Sequence, residues 1–265
     1  MKDYLNFIDI SSWQADIKLD EVFRQNPLDG VVVKATGGTK YVNPKCDPWV
    51  QWLIKNGKPW GFYHYLDDDN KSESGKKEAE YFVENCLNYF GDGMPFADYE
   101  GNALKLGTGY LFEFLETVKS MTGCTPGVYT SLSVIQDQDF REIAAAGYPL
   151  WLAQYASSIA RMNFDSIPYQ QGSYAPFEKI VMHQYSPAGK LNGYNGNLDL
   201  DKFYGTREDW DLMTASIKND YPPILDDGPE EPDKKQWIRD EIEFLEGEKA
   251  NIQNRINYYT RRLEE

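Results

Sequence analysis

The chain has 265 residues, a formal net charge of −15, and 41% hydrophobic and 15% aromatic residues. This length and apolar content predict one large globular domain with an appendage. The negative charge argues against a nucleic-acid partner, and no apolar run approaches the roughly 18 residues of a membrane span. Residues 1–6 lack the apolar segment of a secretion signal, so we expect no signal peptide and no membrane anchor.

The cysteines and histidines do not indicate a metal site. Cys46, Cys86 and Cys124 are odd in number and lack a Cys-x-x-Cys spacing, so we expect small buried thiols. His64 and His183 each lie within an apolar run, which is typical of a hydrogen-bonded core histidine. We therefore predict no metal ligands.

Short β-rich runs alternate with amphipathic segments along most of the chain. The candidate strands are residues 7–11, 31–35, 60–65, 94–101, 125–130, 150–155, 180–185 and 198–201. Helical patterns occupy residues 46–56, 73–90, 110–121 and 133–146. The alternation predicts an α/β fold with a parallel sheet, and eight strands suggest an irregular TIM-like β/α barrel. Because clear helical patterns are missing after Trp151, we expect fewer helices than strands.

Two carboxylates end the fourth candidate strand. Asp98 and Glu100 are two residues apart, and the period of a strand places both side chains on one face. The flanking residues Phe96, Ala97 and Tyr99 indicate that this backbone is buried. Perturbed carboxylate pairs often mark functional sites, so this pair is the first candidate for one.

Other polar residues are expected at the same mouth of the barrel. Functional residues of β/α barrels lie at the C-terminal ends of strands, and Asp9, Lys34 and Asp199 fall in the middle or late part of theirs. Alternation points Asp9 inward. Taken singly, Asp9 or Asp199 also fits a strand-end cap or a turn. With Asp98 and Glu100 they predict four acids that converge on one mouth.

Eight ordered blocks of the chain resemble the family 25 glycoside hydrolases, which are lysozymes (N-acetylmuramidases) common among phage endolysins and bacterial autolysins. The blocks are DISSWQ at 9–14, VKAT at 33–36, GFYHY at 61–65, DYE at 98–100, GVY at 127–129, WLAQY at 151–155, HQY at 183–185 and GNLDL at 196–200. They follow the family's order and cover residues 7 to about 205. One departure is at residues 34–38, which read Lys-Ala-Thr-Gly-Gly where many members have Lys-Ala-Thr-Glu-Gly, so a carboxylate is absent from that loop.

The resemblance implies hydrolysis of the β-1,4 bond between N-acetylmuramic acid and N-acetylglucosamine of peptidoglycan, with no cofactor. Glu100 matches the general acid, which needs a pKa raised by burial and by the neighbouring acids Asp98, Asp9 and Asp199. A barrel that binds wall glycans with little catalysis, oligomerised by its tail, remains the alternative. For a phage endolysin, the implied locations are the host cytoplasm and then the cell wall.

The role of Asp98 stays open at this point. Carboxyl groups about 5 to 5.5 Å apart suit a retaining enzyme and roughly 6.5 to 9.5 Å an inverting one. Neighbours at i and i+2 of a strand, roughly 6.6 Å apart, fall at the boundary. Because the implied substrate carries an acetamido group, we favour Asp98 as the residue that orients this group in a substrate-assisted reaction.

Several other residues are candidates for sugar binding. Lys34 and Gln184 are the polar ones, and a lysine in a valine-rich strand needs a carboxylate partner. Stacking on sugar rings is expected of the aromatic residues Tyr63, Tyr65, Tyr129, Trp151 and Tyr185. Ordinary barrel packing is the alternative for each aromatic residue.

The composition changes after the predicted barrel at residues 1–217. Residues 218–232 are rich in proline and acidic residues, which predicts a stiff linker. Residues 233–265 predict a helix with an a/d heptad pattern formed by Ile238, Ile242, Leu245, Lys249, Ile252, Ile256, Tyr259 and Leu263. The g positions are acidic in its first half and basic in its second, which favours an antiparallel homodimer. Docking of this helix on the barrel is the alternative.

Overall fold

The computed structural model describes residues 3–68, 70–71, 73–157, 159–165 and 168–219. The predicted linker beyond residue 219 and the predicted helix at 233–265 therefore lie outside the described residues. Within the described ranges, no helix is long and apolar enough to cross a membrane.

Nine strands of the described chain form one sheet that closes on itself. They are β1 Leu5–Ile10, β2 Gly30–Gly37, β3 Tyr41–Val42, β4 Trp60–Tyr65, β5 Met94–Asp98, β6 Gly127–Ser131, β7 Leu150–Ala153, β8 Ile180–Gly189 and β9 Leu198–Phe203. The sheet closes because β1 pairs with both β2 and β9. The short β3 adds to the edge of β2, so eight strands make the barrel. The predicted irregular barrel of eight strands is confirmed.

The prediction that the sheet is parallel throughout is wrong at its last strand. β9 runs antiparallel to both β8 and β1, whereas the other neighbouring barrel strands are parallel. The connection over residues 190–197 is too short for a crossover, which takes about a dozen residues or more. The antiparallel direction brings the start of β9 to the mouth where the parallel strands end, and Asp199 pairs with Asp9 there.

The helices of the described chain are more numerous than the sequence predicts. They are α1 Leu19–Gln25, α2 Cys46–Lys55, α3 Gly75–Cys86, α4 Thr108–Thr122, α5 Leu132–Asp137, α6 Arg141–Ala145 and α7 Arg207–Asn219. The helices predicted at 46–56, 73–90 and 110–121 correspond to α2, α3 and α4. Neither α1 nor α7 was predicted, and the boundary predicted at residue 217 falls within α7.

The single helix predicted at 133–146 is wrong, because α5 and α6 are separate. Gln138, between them, has an extended backbone with φ −121° and ψ 164°. Its side chain accepts a hydrogen bond from the Tyr99 hydroxyl at 2.6 Å and donates to the Leu104 carbonyl oxygen at 3.1 Å. These tertiary contacts hold Gln138 out of the helical conformation and tie it to the segment that carries the acid pair.

Strand alternation separates two apolar layers. Ile8 and Ile10 belong to the larger cluster, which includes side chains of the surrounding helices, while Phe7 belongs to the cluster inside the barrel. Trp210 of α7 stacks near Phe7 and Phe203, with ring centroids 4.5 and 5.0 Å away. This tryptophan therefore fills the end of the barrel opposite the mouth.

Both histidines are hydrogen-bonded core residues, as expected. His183 contacts the Gln154 carbonyl oxygen at 2.9 Å. His64 contacts Glu78 Oε1 at 2.9 Å, and the same oxygen accepts the backbone N–H of Asp67 at 2.7 Å. The buried His64–Glu78 pair thereby holds the start of the loop after β4, which reaches the mouth of the barrel.

The three cysteines are buried, as expected. Cys46, Cys86 and Cys124 all lie in the described part of the chain, and none forms a disulfide there. Burial raises the pKa of the Cys46 thiol to about 12, so this thiol stays protonated.

Candidate active site

A cleft of about 500 Å³ opens where the parallel strands of the barrel end. Ten of the eleven residues singled out from the sequence line it, Tyr185 being the exception: Asp9, Lys34, Tyr63, Tyr65, Asp98, Glu100, Tyr129, Trp151, Gln184 and Asp199. The four acids therefore share one mouth, and their positions follow from strand alternation together with barrel closure.

The acid pair lies on an extended segment whose other face is buried. Tyr99, between the two acids, is 0% exposed. Its backbone N–H donates to the Tyr129 carbonyl oxygen at 2.9 Å, and its own carbonyl oxygen accepts the Thr130 hydroxyl at 2.9 Å. These bonds continue the strand geometry past Asp98, so the side chains of Asp98 and Glu100 both face the cleft.

A sharp turn follows the acid pair. Gly101 has φ +57°, and a Cβ at this position would lie 2.5 Å from the Tyr65 hydroxyl oxygen. Because only glycine combines this backbone conformation with the close approach, Gly101 lets Tyr65 reach Glu100.

Asp98 is buried with an unsatisfied oxygen. It is 7% exposed, and no donor among the described residues reaches its Oδ1 atom. Burial raises the pKa of Asp98 well above its usual range, the charge of Glu100 raises it further, and Lys34 opposes this shift. A buried acceptor without a donor is costly, so this oxygen is ready to accept a hydrogen bond from a ligand.

Glu100 is more accessible than Asp98 and also holds its proton more tightly than a free carboxyl. Burial raises its pKa, while the hydrogen bond from Tyr65 and the charge of Lys34 lower it. Burial and the charge of Glu100 also raise the pKa of Asp199, to about 6. The mouth therefore keeps protons at a pH where surface carboxyls have lost theirs.

Gln184 connects Asp9 to two tyrosines. Its Nε2 donates to Asp9 Oδ2 at 2.6 Å, and its Oε1 accepts the Tyr129 hydroxyl at 2.8 Å and the Tyr155 hydroxyl. Gln184 is only 4% exposed. Its position therefore suits the orientation of Asp9 better than direct contact with a ligand.

Lys34 has the carboxylate partner that its buried strand requires. Its Nζ lies 3.0 Å from Asp68 Oδ2, and 4.5 Å from the centre of the Tyr65 ring. Asp68 comes from the loop after β4 and lines the cleft. A Cβ at Gly37 would lie 2.5 Å from Asp68 Oδ2. Residues 34–38 depart from the family's sequence pattern, and Gly37 in this segment leaves room for a carboxylate that a different loop supplies.

The aromatic candidates differ in their accessibility. Tyr63, Tyr129 and Trp151 form a nearly buried floor, with 8%, 8% and 2% exposure. Tyr65 is half-buried. Tyr185 does not line the cleft; it is 1% exposed and its hydroxyl accepts the Asp165 N–H, so its expected role in sugar stacking is wrong and packing explains it.

Three further aromatic side chains line the cleft and are open to solvent. Trp13 is 89% exposed in the 3-10 helix after β1, and Tyr155 is 39% exposed just after β7. The third, Tyr41, donates its hydroxyl to Ser12 Oγ at 2.9 Å. Trp13 and Tyr155 belong to the sequence blocks at 9–14 and 151–155. Their positions shortly after strands could have identified them as cleft residues from the sequence. Tyr41 begins the short strand β3, which the sequence did not predict, and Asp68 comes from a loop whose course the sequence does not show.

No group of three or more His, Cys, Asp or Glu side chains in the described ranges has a geometry that could hold a metal ion.

The chain is similar to proteins that are described as lysozymes. The chain is 27% identical over 201 residues to the autolytic lysozyme of Clostridium acetobutylicum, an alignment that covers 74% of this chain and 55% of that protein. It is 25% identical over 202 residues to the lysozyme of Streptococcus phage Cp-7, which covers 71% of this chain and 56% of that protein. The chain thus spans little more than half the length of these two relatives.

The fold also matches a solved structure. The bacterial lysozyme from Streptomyces coelicolor superposes with a TM-score of 0.66 and 23% identity, covering 80% of this chain and 98% of that one. The family model described as glycosyl hydrolases family 25 matches residues 8–194, which run from the second half of β1 past the end of β8 and contain three of the four acids. The chain belongs to the glycosyl hydrolases of family 25.

Proposed function

We propose that this protein is a lysozyme that hydrolyses the β-1,4 bond between N-acetylmuramic acid and N-acetylglucosamine in bacterial peptidoglycan. The observation that carries the proposal is the segment at 98–100, which presents two carboxyls with raised pKa to one cleft in a chain of this family. The two relatives described above, both called lysozymes, support the same activity. Intact acids in an open cleft favour an enzyme over a barrel that only binds wall glycans.

Glu100 is the general acid of the proposed reaction. It must hold a proton at working pH and reach the glycosidic oxygen, and it combines a raised pKa with partial exposure. Its proton goes to the oxygen of the departing N-acetylglucosamine as the bond to the anomeric carbon breaks. The resulting Glu100 carboxylate then takes a proton from the water that completes hydrolysis.

Asp98 assists the substrate's own acetamido group. Its Oδ1 accepts the acetamido N–H, which orients the acetamido oxygen for attack on the anomeric carbon and stabilises the positive charge of the cyclic intermediate. Water opens this intermediate from the face that the leaving group vacated. The anomeric configuration is therefore retained overall.

The remaining residues hold the acids and the sugars. Asp9 and Asp199 add negative charge beside the developing cation, and Gln184 orients Asp9. Lys34 and the accessible edge of Tyr65 provide polar and stacking contacts, and the nearly buried Tyr63, Tyr129 and Trp151 shape the floor. The reaction needs no cofactor.

Digestion of purified peptidoglycan tests the activity. We expect new reducing ends that mass spectrometry identifies as N-acetylmuramic acid, because cleavage of the proposed bond leaves this sugar with a free anomeric carbon. New N-acetylglucosamine ends would show cleavage of the other glycosidic bond. Binding to the wall without any new reducing ends would support the glycan-binding alternative instead.

We further propose three segments in the chain: the barrel at 1–217, a linker at 218–232 and a self-associating helix at 233–265. The heptad pattern and the charge reversal along the last segment support an antiparallel homodimer. Two linked barrels would raise the effective concentration of the second at the wall.

Sedimentation tests the homodimer. We expect a dimer for the full chain and a monomer for a chain that ends at residue 232, with equal initial rates per barrel on soluble glycan fragments. A monomeric full chain would contradict the proposal. So would a chain ending at residue 232 that has the same oligomeric state as the full chain.

The cell wall is the proposed place of action. The similarity to a phage lysozyme supports a phage lysin, which would be made in the host cytoplasm and then act on the wall.

A further inference from the structure

Asp201 is a buried acid that neither the sequence interpretation nor the cleft includes. It lies in β9 on the same face as Asp199. Leu198 and Leu200 alternate with these two acids along the strand and belong to the larger apolar cluster, outside the barrel. It is 0% exposed, and its register partner on β1 is Phe7, two residues before Asp9 and farther from the mouth. Asp201 is therefore under the floor of the mouth.

The Asp201 carboxyl has two contacts that matter. Its Oδ1 accepts the indole N–H of Trp151 at 2.9 Å. The Asp9 carboxyl lies within hydrogen-bonding reach of the Asp201 carboxyl, and no N–H or hydroxyl group of the described residues reaches Asp201 Oδ2. Two ionised carboxylates both accept and cannot bond to each other, so this contact requires one proton between them.

The neighbours decide which carboxyl holds that proton. Asp9 already accepts the Gln184 amide at 2.6 Å and borders the cleft, so its charge has a strong hydrogen-bond donor. Asp201 receives one N–H in a closed site. The titratable groups that act on it or respond to it are Asp9, Asp199, Tyr155 and Tyr185, and none is a cation.

Electrostatics agree with this assignment. Burial raises the pKa of Asp201 well above its usual range, and the charges of Asp9 and Asp199 raise it further. Burial and the charge of Asp199 also raise the pKa of Asp9 well above its usual range, but of the two carboxyls only Asp9 receives the Gln184 amide, which opposes the shift. The proton therefore lies on Asp201, in the form that donates to Asp9.

We propose that Asp201 is a positioning residue that stays protonated and donates its proton to Asp9, which keeps Asp9 ionised and directed into the cleft. Trp151 orients Asp201 through its indole N–H, and Gln184 holds Asp9 through its side-chain amide. A continuous series of hydrogen bonds thus connects Trp151 to Asp201, Asp201 to Asp9, and Asp9 to Gln184. The kinetic effects expected of this proposal rest on the proposed hydrolysis. The position of the proton rests on the contacts of the two carboxyls.

Two variants separate positioning from packing. In Asp201→Asn the amide oxygen can accept from Trp151 and the amide N–H can donate to Asp9, so we expect kcat/KM within about threefold of the wild type. Asp201→Leu fills similar space without a donor, and we expect kcat to fall about tenfold or more. The acid limb of its kcat/KM profile should also move to higher pH, because Asp9 loses the hydrogen bond that favours its charged form. Equal pH profiles for Asn and Leu variants that both fold would overturn the proposal.

An infrared spectrum tests the proton itself, independently of activity. Protein with 13C-carboxyl-labelled aspartate should show the C=O stretch of protonated buried carboxyls near neutral pH, and Asp201→Asn should remove the band that belongs to Asp201. The matched control is Asp139→Asn, because Asp139 is exposed and hydrogen bonds from Arg141 lower its pKa to about 2. A spectrum that Asp201→Asn leaves unchanged would show an ionised Asp201 and overturn the proposal, including when Asp201→Leu does not fold. Absence of hydrolysis by the wild type would refute the proposed function and leave this comparison valid.

Discussion

Glu100→Gln is expected to lower the rate of peptidoglycan hydrolysis by about 10²- to 10⁴-fold, the usual contribution of a general acid. Glutamine has the same size and can still accept the hydrogen bond from Tyr65, but it has no proton to give to the glycosidic oxygen. The measurement is the rate of formation of new reducing ends, with the unfolding temperature recorded for the same samples. We expect that temperature to change little.

The matched control is Glu84→Gln, which removes a carboxylate from the exposed face of α3. It should retain the wild-type rate. A Glu100→Gln protein that keeps more than about a tenth of the wild-type rate would place proton donation on another group. Asp98 would be the first to examine, because burial and Glu100 raise its pKa as well.

The pH dependence of the wild type follows from the same shift. Activity should fall as pH rises through the pKa of Glu100, which lies above the usual value for a glutamate because of burial. When the acetamido N–H binds Asp98, it favours the charged form of Asp98, and that charge raises the pKa of Glu100 in turn. The alkaline limb of kcat should therefore lie at higher pH than that of kcat/KM, which reports the free enzyme.

Asp98→Asn is expected to lower kcat by about 10²- to 10³-fold, as for the loss of one preorganised electrostatic contact to a transition state. An asparagine is neutral and stabilises the cationic intermediate far less than a carboxylate. The effect should depend on the acetamido group of the substrate. We therefore compare peptidoglycan before and after removal of the acetyl groups from N-acetylmuramic acid.

A double comparison isolates this contact. Deacetylation should slow the wild type strongly and add little to the loss already caused by Asp98→Asn. Independent, multiplying effects of the two changes would contradict the role given to Asp98. Inversion at the anomeric carbon, seen by NMR of the first product, would exclude the substrate-assisted route altogether.

Local patterns were sufficient to predict the strands but not all of their directions. Alternation and β-rich composition reveal each barrel strand, because half-buried and buried strands differ visibly from helices. The direction of β9 depends on where the eight residues after β8 travel, and that is a property of chain closure. The break between α5 and α6 depends on Tyr99 and Leu104, which are more than 30 residues away from Gln138.

The four acids of the mouth were within reach of the sequence. Asp9, Asp98 and Glu100 lie on inward faces that a period of two defines, and Asp199 shares this face because it pairs with Asp9. The same period places Asp201 beside Asp199, but the sequence does not show that Trp151 and Asp9 enclose it.

The sequence by itself determined the number of barrel strands and the identity of the acid pair, since these depend on spacing along the chain, and its eight ordered blocks carried the resemblance to the family. Only the tertiary structure decided that Asp68 pairs with Lys34, that Gln184 holds Asp9, and that Asp98 Oδ1 has no donor among the described residues. Each of these joins, or fails to join, groups from different strands or loops. The acidity of a carboxyl depends on such neighbours and on burial, so the chemistry of the mouth is set by the closed barrel.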